Sequence, residues 1–190
     1  MNDATDLLGP VESVILALTR SDVPYFVTGS FASSLHGEFR ATNDLDIVAA
    51  LETAILVPLF DALSRDFVTD IDQAHDALHS QSSFNIIHRS TYLKVDVFPC
   101  VTDFDREALR RAELVMFPGA ALAVRIATRE DILLAKLRWY RLGGEASRVQ
   151  WRDAERLVLL NREELDDRYL HAWAERLGVR DLLRRMLSPG

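Results

Sequence analysis

Two aspartates, Asp44 and Asp46, interrupt an otherwise apolar run that ends at Val48. Side chains alternate between the two faces of a strand, so both carboxylates point one way while Leu45 and Ile47 point into a core. The two aspartate side chains then start about 6–7 Å apart, a spacing that suits a hard cation with oxygen ligands. This strand constrains the fold, because something has to offset the repulsion between its two carboxylates.

The pair Gly29-Ser30 follows a short strand-like run, Tyr25–Val27, and precedes a short helix predicted over residues 30–36. A strand, a turn and a helix start together expose backbone N–H groups that bind anions. Gly29 allows an anion to approach the backbone, and the Ser30 hydroxyl either caps the helix or binds a phosphate oxygen. Taken alone, the pair is also explained by a plain turn with a helix cap.

A third carboxylate, Asp96, lies in the second strand of a hairpin predicted over residues 83–88 and 93–98. Period-two alternation puts Lys94 and Asp96 on the same face of that strand. A carboxylate in the middle of a strand needs a partner. Two interpretations are open: an ion pair with Lys94 on a solvated face, or a cluster with the two aspartates of the earlier strand.

The rest of the chain divides into a sheet-forming part and a helical part. Helical periodicity and capping patterns predict further helices, and two strand-like runs surround the turn Pro118-Gly119. The predicted helices cover residues 6–20, 53–64, 71–79, 128–142, 146–160, 162–177 and 180–187, and the two strand-like runs cover residues 112–117 and 122–127. We therefore predict an α/β (α+β) architecture with a core over residues 1–127 and a helical region over residues 128–190 packed on it.

Composition narrows the functional class. The formal net charge is −7, with eight basic against eighteen acidic residues in positions 1–119 and eight against five in positions 120–160. Such a balance disfavours nonspecific nucleic-acid binding, whereas the positive middle segment suits a phosphate-bearing ligand. Solvated helix faces also explain this positive segment.

The single cysteine, Cys100, excludes an internal disulfide. Without a signal peptide or an apolar run of the ~20 residues that span a bilayer, the sequence predicts a soluble, cytoplasmic protein that does not associate with membranes.

Three stretches together resemble the nucleotidyltransferase fold of the DNA polymerase β superfamily. They are Gly29-Ser30, the segment RATNDLDIV at residues 40–48, and the segment KVDVF at residues 94–98. The family pattern is a Gly-Ser, a later D-x-D and a third Asp on a further strand. The resemblance is closest to small prokaryotic members, including antibiotic-modifying enzymes and those of abortive-infection and toxin–antitoxin systems. The tail segments at residues 130–137 and 150–153 match more loosely.

This resemblance implies a mixed β-sheet flanked by helices, followed by a C-terminal helical region. It also implies a Mg²⁺-dependent enzyme that transfers a nucleoside monophosphate from an NTP, such as ATP, to a hydroxyl group. The acceptor would be an RNA such as tRNA, a protein or a small molecule. A catalytically degenerate module that binds a partner protein, as an antitoxin does, is the alternative.

The resemblance also assigns roles to residues. Asp44 and Asp46 would hold two Mg²⁺ ions, for which Mn²⁺ can substitute, and Asp96 would bind the metal beside the acceptor. Gly29, Ser30 and Lys136 would contact the phosphates, although a solvated lysine on a helix face is an open alternative for Lys136. Asp153 would be a further site residue or the partner of a neighbouring arginine.

One departure from the family pattern is relevant to the phosphates. The frequent Ala-Arg-Gly after Gly-Ser is replaced by the segment ASS at residues 32–34, so an expected basic residue is missing.

Overall fold

The computed structural model describes residues 5–36, 42–116 and 119–188 of the chain. Their contacts divide them into two compact units. The first contains the described residues up to Phe31 and those from Thr42 to Ala127, and the second contains those from Ala32 to His36 and from Thr128 onward. Arg40 and Ala41 of the motif, together with residues 117–118 near the predicted turn, lie outside the described residues.

The first unit is built on one mixed sheet, in the order β3-β4-β5-β2-β1-β7-β6. β2 pairs in parallel with β5, and β1 pairs in parallel with β7, whereas the other neighbours are antiparallel. The predicted hairpin is confirmed as β4–β5. The strands found in the described residues are β1 (Tyr25–Thr28), β2 (Asp44–Ala49), β3 (Phe67–Val68), β4 (Phe84–His88), β5 (Lys94–Pro99), β6 (Glu113–Met116) and β7 (Ala123–Ile126).

One face of this sheet forms the core of the first unit. Its side chains are apolar and almost completely buried because each strand directs every second residue to that face. They include Val27, Leu45, Ile47, Ile86, Val95 and Val97. The opposite face carries the polar residues of β2 and β5, which are half-buried or exposed. The alternation thus separates a packing face from a face with charged groups.

Four helices of the described residues accompany the sheet: α1 (Thr5–Arg20), α3 (Thr53–Leu63), α4 (Ile71–Ser80) and α5 (Asp103–Arg111). A further helix, α2 (Gly29–Leu35), begins in the first unit and ends in the second. α1 packs on α3, and α3 packs on α4. The sequence did not lead us to predict α5 or β3. α5 begins with a capping box, in which the Thr102 hydroxyl accepts from the Asp105 N–H and the Asp105 carboxylate accepts from the Thr102 N–H.

The second unit is helical, as predicted. From Thr128 onward its described residues form α6 (Arg129–Leu142), α7 (Arg148–Asn161), α8 (Asp167–Arg176) and α9 (Arg180–Leu187). The predicted start of the third of these helices at residue 162 is wrong. The helix starts at Asp167 because the Asp166 side chain accepts from the Tyr169 N–H and caps it there.

No helix in the described part of either unit combines the length and the apolar character needed to cross a bilayer.

Candidate active site

The two aspartates of β2 lie where alternation predicts them. Leu45 and Ile47 are fully buried, whereas Asp44 is exposed and Asp46 is half-buried. Both carboxylates therefore leave the strand on the face opposite the core.

The third aspartate reaches the same place through a parallel strand pair. β5 lies beside β2 in register, so that Asp46 is the partner of Asp96, and Asp44 is the partner of Lys94. Paired residues on adjacent strands share a face, and their strands are about 4.8 Å apart. Asp44, Asp46 and Asp96 are thus on one face of two neighbouring strands, although residues 50–93 separate β2 from β5 in the sequence.

The polar residues continue across two further strands. Thr28 of β1 is the partner of Asp46, and Asn85 of β4 is the partner of Asp96. Asn85, Asp96, Asp46 and Thr28 therefore form a row across β4, β5, β2 and β1, which we call the polar row. The sequence analysis missed Asn85 and Thr28. Asn85 carried a signal, since it is the polar residue between two apolar ones in a hairpin strand.

Gly29 lies directly against one of these carboxylates. Its backbone has a φ of +68°, and a Cβ built on it would be 2.6 Å from Cγ of Asp46. Only glycine fits this position, because it accepts the left-handed conformation and leaves room for the carboxylate. The Gly of the Gly-Ser pair therefore leaves room for the Asp46 carboxylate, a reason for its presence that the sequence did not reveal.

Lys94 forms the ion pair that we considered as one interpretation of Asp96. Its Nζ is 2.8 Å from Oδ1 and 2.9 Å from Oδ2 of Asp96, so it binds both carboxylate oxygens. This hydrogen bond has the largest effect and raises the pKa of Lys94; burial opposes it, and the negative charges of Asp96, Asp44 and Asp46 each raise the pKa by a smaller amount. The ion pair and the shared aspartate face, which were alternatives in the sequence, occur together.

The donor set of this face suits Mg²⁺, which prefers carboxylate oxygens. In the described part of the chain, however, no three Asp, Glu, His or Cys side chains are arranged around a common ion position. The ammonium group of Lys94 is the cation found on Asp96 instead. The residues therefore suit a divalent cation by donor type and by strand register, although their side chains do not surround one ion position.

Comparisons with known proteins agree on the fold. The solution structure of the antibiotic-resistance factor ANT(2'')-Ia aligns at 14% identity over 96% of this chain and 94% of that one, with a TM-score of 0.54. An antigenic nucleotidyltransferase-like protein from Paracoccidioides brasiliensis aligns at 19% identity over 96% and 92%, with a TM-score of 0.55. The chain has the nucleotidyltransferase fold.

A crystal structure of ANT(2'')-Ia in complex with adenylyl-2''-tobramycin aligns similarly, at 16% identity over 96% and 99% of the two chains, with a TM-score of 0.52. No protein-family model matches the sequence, and no curated protein matches it. The fold that the motifs predicted is thus confirmed by structure at sequence identities that carry no detail of the site.

Within this nucleotidyltransferase fold, Ser30 is the second residue of α2, next to the glycine that contacts Asp46. The helix has no acidic residue in its first turn and no basic residue in its last turn. The nucleotide-binding role of Gly29 and Ser30 stays a prediction.

Lys136 lies in the second unit, on α6, and its side chain is buried. The alternative of a solvated lysine is therefore wrong. Its Nζ is 3.5 Å from Oδ2 of Asp153 on α7, so Asp153 is a partner of this lysine rather than only of a neighbouring arginine. The predicted contact of Lys136 with phosphate stays a prediction.

Buried polar groups continue around α6 in the same unit. The Asp131 carboxylate accepts from the Thr128 hydroxyl at 2.8 Å and from the Tyr169 hydroxyl at 2.5 Å. Glu130 accepts from the Asp166 N–H at 3.0 Å. Each carboxylate is buried but hydrogen-bonded, which is the condition under which proteins keep such groups inside.

Proposed function

We propose that the protein is a Mg²⁺-dependent nucleotidyltransferase that transfers a nucleoside monophosphate from an NTP to a hydroxyl group. The observation that carries the proposal is the in-register pairing of β2 and β5, which puts Asp46 beside Asp96 and directly under Gly29. Its setting in a nucleotidyltransferase fold adds support. Neither the fold nor the aspartates of β2 and β5 alone would be sufficient to propose this function, because one fold supports many functions.

In this proposal Asp44, Asp46 and Asp96, on the face of β2 and β5 opposite the core, would hold the metal. Bound Mg²⁺ would stabilise the negative charge that develops on the attacking and leaving oxygens. Gly29 keeps the Asp46 carboxylate in position, since any side chain at residue 29 would displace it.

The proposed reaction is an in-line displacement at the α-phosphorus. The acceptor oxygen forms a bond to that phosphorus, the bond to the oxygen bridging the α- and β-phosphates breaks, and pyrophosphate leaves with the electron pair. The acceptor proton passes to the Asp96 carboxylate or to solvent. Gly29 and Ser30 are the proposed contacts of the leaving phosphates.

The first nucleotide and acceptor to test are ATP and a small hydroxyl compound, because ANT(2'')-Ia was solved with adenylyl-2''-tobramycin. An RNA end, such as that of tRNA, and a protein hydroxyl are the other acceptor classes in the proposal.

The test is to incubate the protein with each α-labelled NTP, Mg²⁺ and separate fractions of tRNA, protein and small molecules, and then to measure label in each fraction. We expect transfer to one fraction and its loss in Asp46→Asn, by more than about 100-fold, since even outer-shell partners of metal ligands contribute 10–100-fold. Asp61→Asn is the matched control, because Asp61 is exposed on α3 in the same unit. Full transfer by folded Asp46→Asn would refute the proposal.

A partner-binding module is the second candidate, and exposed leucines on α7 favour it. Leu159 and Leu160 are 79% and 56% exposed, which is high for two adjacent leucines. This candidate predicts that the protein binds no NTP in the presence of Mg²⁺. A calorimetric titration distinguishes the two, because metal-dependent heat on NTP addition is expected only for the enzyme.

A further inference from the structure

In the described strands β2 and β5, the face opposite the core carries one basic side chain beside its three aspartates. Lys94 is the strand partner of Asp44 and lies two residues before Asp96. Its ammonium group binds both oxygens of Asp96, at 2.8 Å and 2.9 Å. The cation on this face is therefore supplied by the chain itself.

The choice of lysine is informative. The chain has twenty-two lysines and arginines, of which only Lys94 and Lys136 are lysines. An arginine would bind a carboxylate through a rigid planar fork, whereas lysine presents a compact charge on a flexible stem. A lysine can leave Asp96 by rotations about its side-chain bonds, without movement of the strand.

A divalent ion and this ammonium group would compete for Asp96, because Lys94 now occupies both of its oxygens. Mg²⁺ binds a carboxylate oxygen at about 2.0–2.1 Å, so an ammonium on the same carboxylate would be only a few ångströms from it. Two positive charges at that separation repel each other. Metal binding at Asp96 is therefore opposed by the ammonium group and is favoured when that group withdraws.

We propose that Lys94 is a resident countercation of the aspartate face, which a divalent metal displaces from Asp96 when it binds. The inference rests on the proposed function, because it assumes that the three aspartates bind metal. It adds that the chain limits its own metal affinity and offsets one of the three carboxylate charges of the face before metal arrives. A fixed lysine that orients Asp96 for the metal would have the opposite effect, since its removal would weaken binding.

The test is calorimetric titration of Mn²⁺ and of Mg²⁺ into the protein without nucleotide. We expect Lys94→Met to bind metal about tenfold more tightly than the unsubstituted protein, because one competing charge is gone. Lys94→Arg keeps the charge and is the matched control, and we expect it to bind metal no more tightly than the unsubstituted protein, because the guanidinium fork holds Asp96 at least as firmly. Equal or weaker binding by Lys94→Met would overturn the inference.

Asp46→Asn separates this outcome from failure of the proposed function. If the unsubstituted protein and Lys94→Met both give no metal-dependent heat, the metal site itself is refuted, and the inference with it. If the unsubstituted protein binds metal, Asp46→Asn does not, and Lys94→Met gains nothing, only the inference fails.

A second measurement detects the displacement of Lys94 directly and does not depend on a change in metal affinity. Protein labelled only on its lysine side chains should give two sets of NMR signals, one for each lysine, and Lys94→Arg assigns them. On addition of Mg²⁺ we expect the Lys94 signals to move towards their position in metal-free Asp96→Asn, where the ion pair is absent. Metal binding that leaves the Lys94 signals unchanged would contradict displacement.

Discussion

The two lysines of the chain form the same chemical pair in two different settings. In the first unit, Lys94 and Asp96 lie on the face of the sheet opposite the core. Their side chains are 44% and 18% exposed, and Nζ of Lys94 is 2.8 Å from Oδ1 of Asp96. In the second unit, Lys136 and Asp153 join two helices, with side chains 9% and 17% exposed and a distance of 3.5 Å. The more exposed pair has the closer contact.

This difference separates a replaceable pair from a structural one. The two carboxylates are about equally exposed, so the difference lies in the lysines: Lys94 is 44% exposed, and water or another cation can take its place on Asp96 at small cost. Lys136 is only 9% exposed, so its removal leaves Asp153 without compensation. The first arrangement suits a site that exchanges cations, and the second suits a fixed connection between α6 and α7.

The largest expected effect is on the buried pair. Lys136→Met should lower the free energy of unfolding by about 3–4 kcal/mol, because Asp153 is left in a largely buried position without its cation. Urea denaturation followed by circular dichroism measures this loss. The double variant Lys136→Met/Asp153→Leu should recover most of it. A loss below about 1 kcal/mol in the single variant would break the comparison, because such a value is typical of exposed pairs.

Two glycines extend the comparison of the two units, because the same glycine-to-alanine substitution can be made at one glycine of each unit. Gly29 and Gly178 have φ values of +68° and +69°, but a Cβ would collide with Asp46 only at Gly29, since nothing lies within 4 Å at Gly178. We expect Gly29→Ala to cost about 2–3 kcal/mol and Gly178→Ala about 1 kcal/mol in thermal or urea unfolding. Metal binding should weaken only in Gly29→Ala. Equal costs would mean that the Asp46 carboxylate moves aside freely.

A smaller effect is expected from the hydroxyl of a half-buried tyrosine in the second unit. Tyr169→Phe removes the hydrogen bond to Asp131 and should lower the free energy of unfolding by about 1.5–2 kcal/mol, as expected for a hydrogen bond to a charged group. Tyr92→Phe is the control, because Tyr92 is 75% exposed and should change stability little. Similar values for the two variants in urea denaturation would show that the polar groups around α6 are not a stabilising network.

The smallest expected effect is on the pair of Lys94 and Asp96, whose lysine is partly exposed. Lys94→Met should change the free energy of unfolding by less than about 1 kcal/mol, and added salt should reduce that difference further. The measurement is urea denaturation of both proteins at low and high salt. A large, salt-insensitive loss would mean that Lys94 is a fixed structural partner, contrary to its proposed displacement.

Much of the fold was accessible from local patterns. Alternation around Asp44 and Asp46 predicted β2 and its faces, and the hairpin of β4 and β5 followed from two alternating runs around a polar turn. α5 was missed because it has few apolar residues, and its capping box uses Asp105 where the usual pattern has Glu or Gln.

The site was predictable only in part, for a different reason. The sequence placed Asp96 on a strand, but its register with Asp46 depends on pairing between distant segments, which no local pattern encodes. The same limit explains Lys136, whose burial depends on how α7 packs against α6. The ion pair of Lys94 was visible as an alternative because its partner is two residues away.

The parallel register of β2 and β5 has a consequence for how such a chain tolerates changes in length. The spacing of Asp46 and Asp96 is fixed by backbone hydrogen bonds between the two strands, so the helices and loops between them can lengthen or shorten without moving either carboxylate. One residue inserted into β5 between Val95 and Asp96 would instead turn Asp96 towards the apolar face. Chains that diverge from this one are therefore free to vary the path between the two strands, provided that no residue is gained or lost within them.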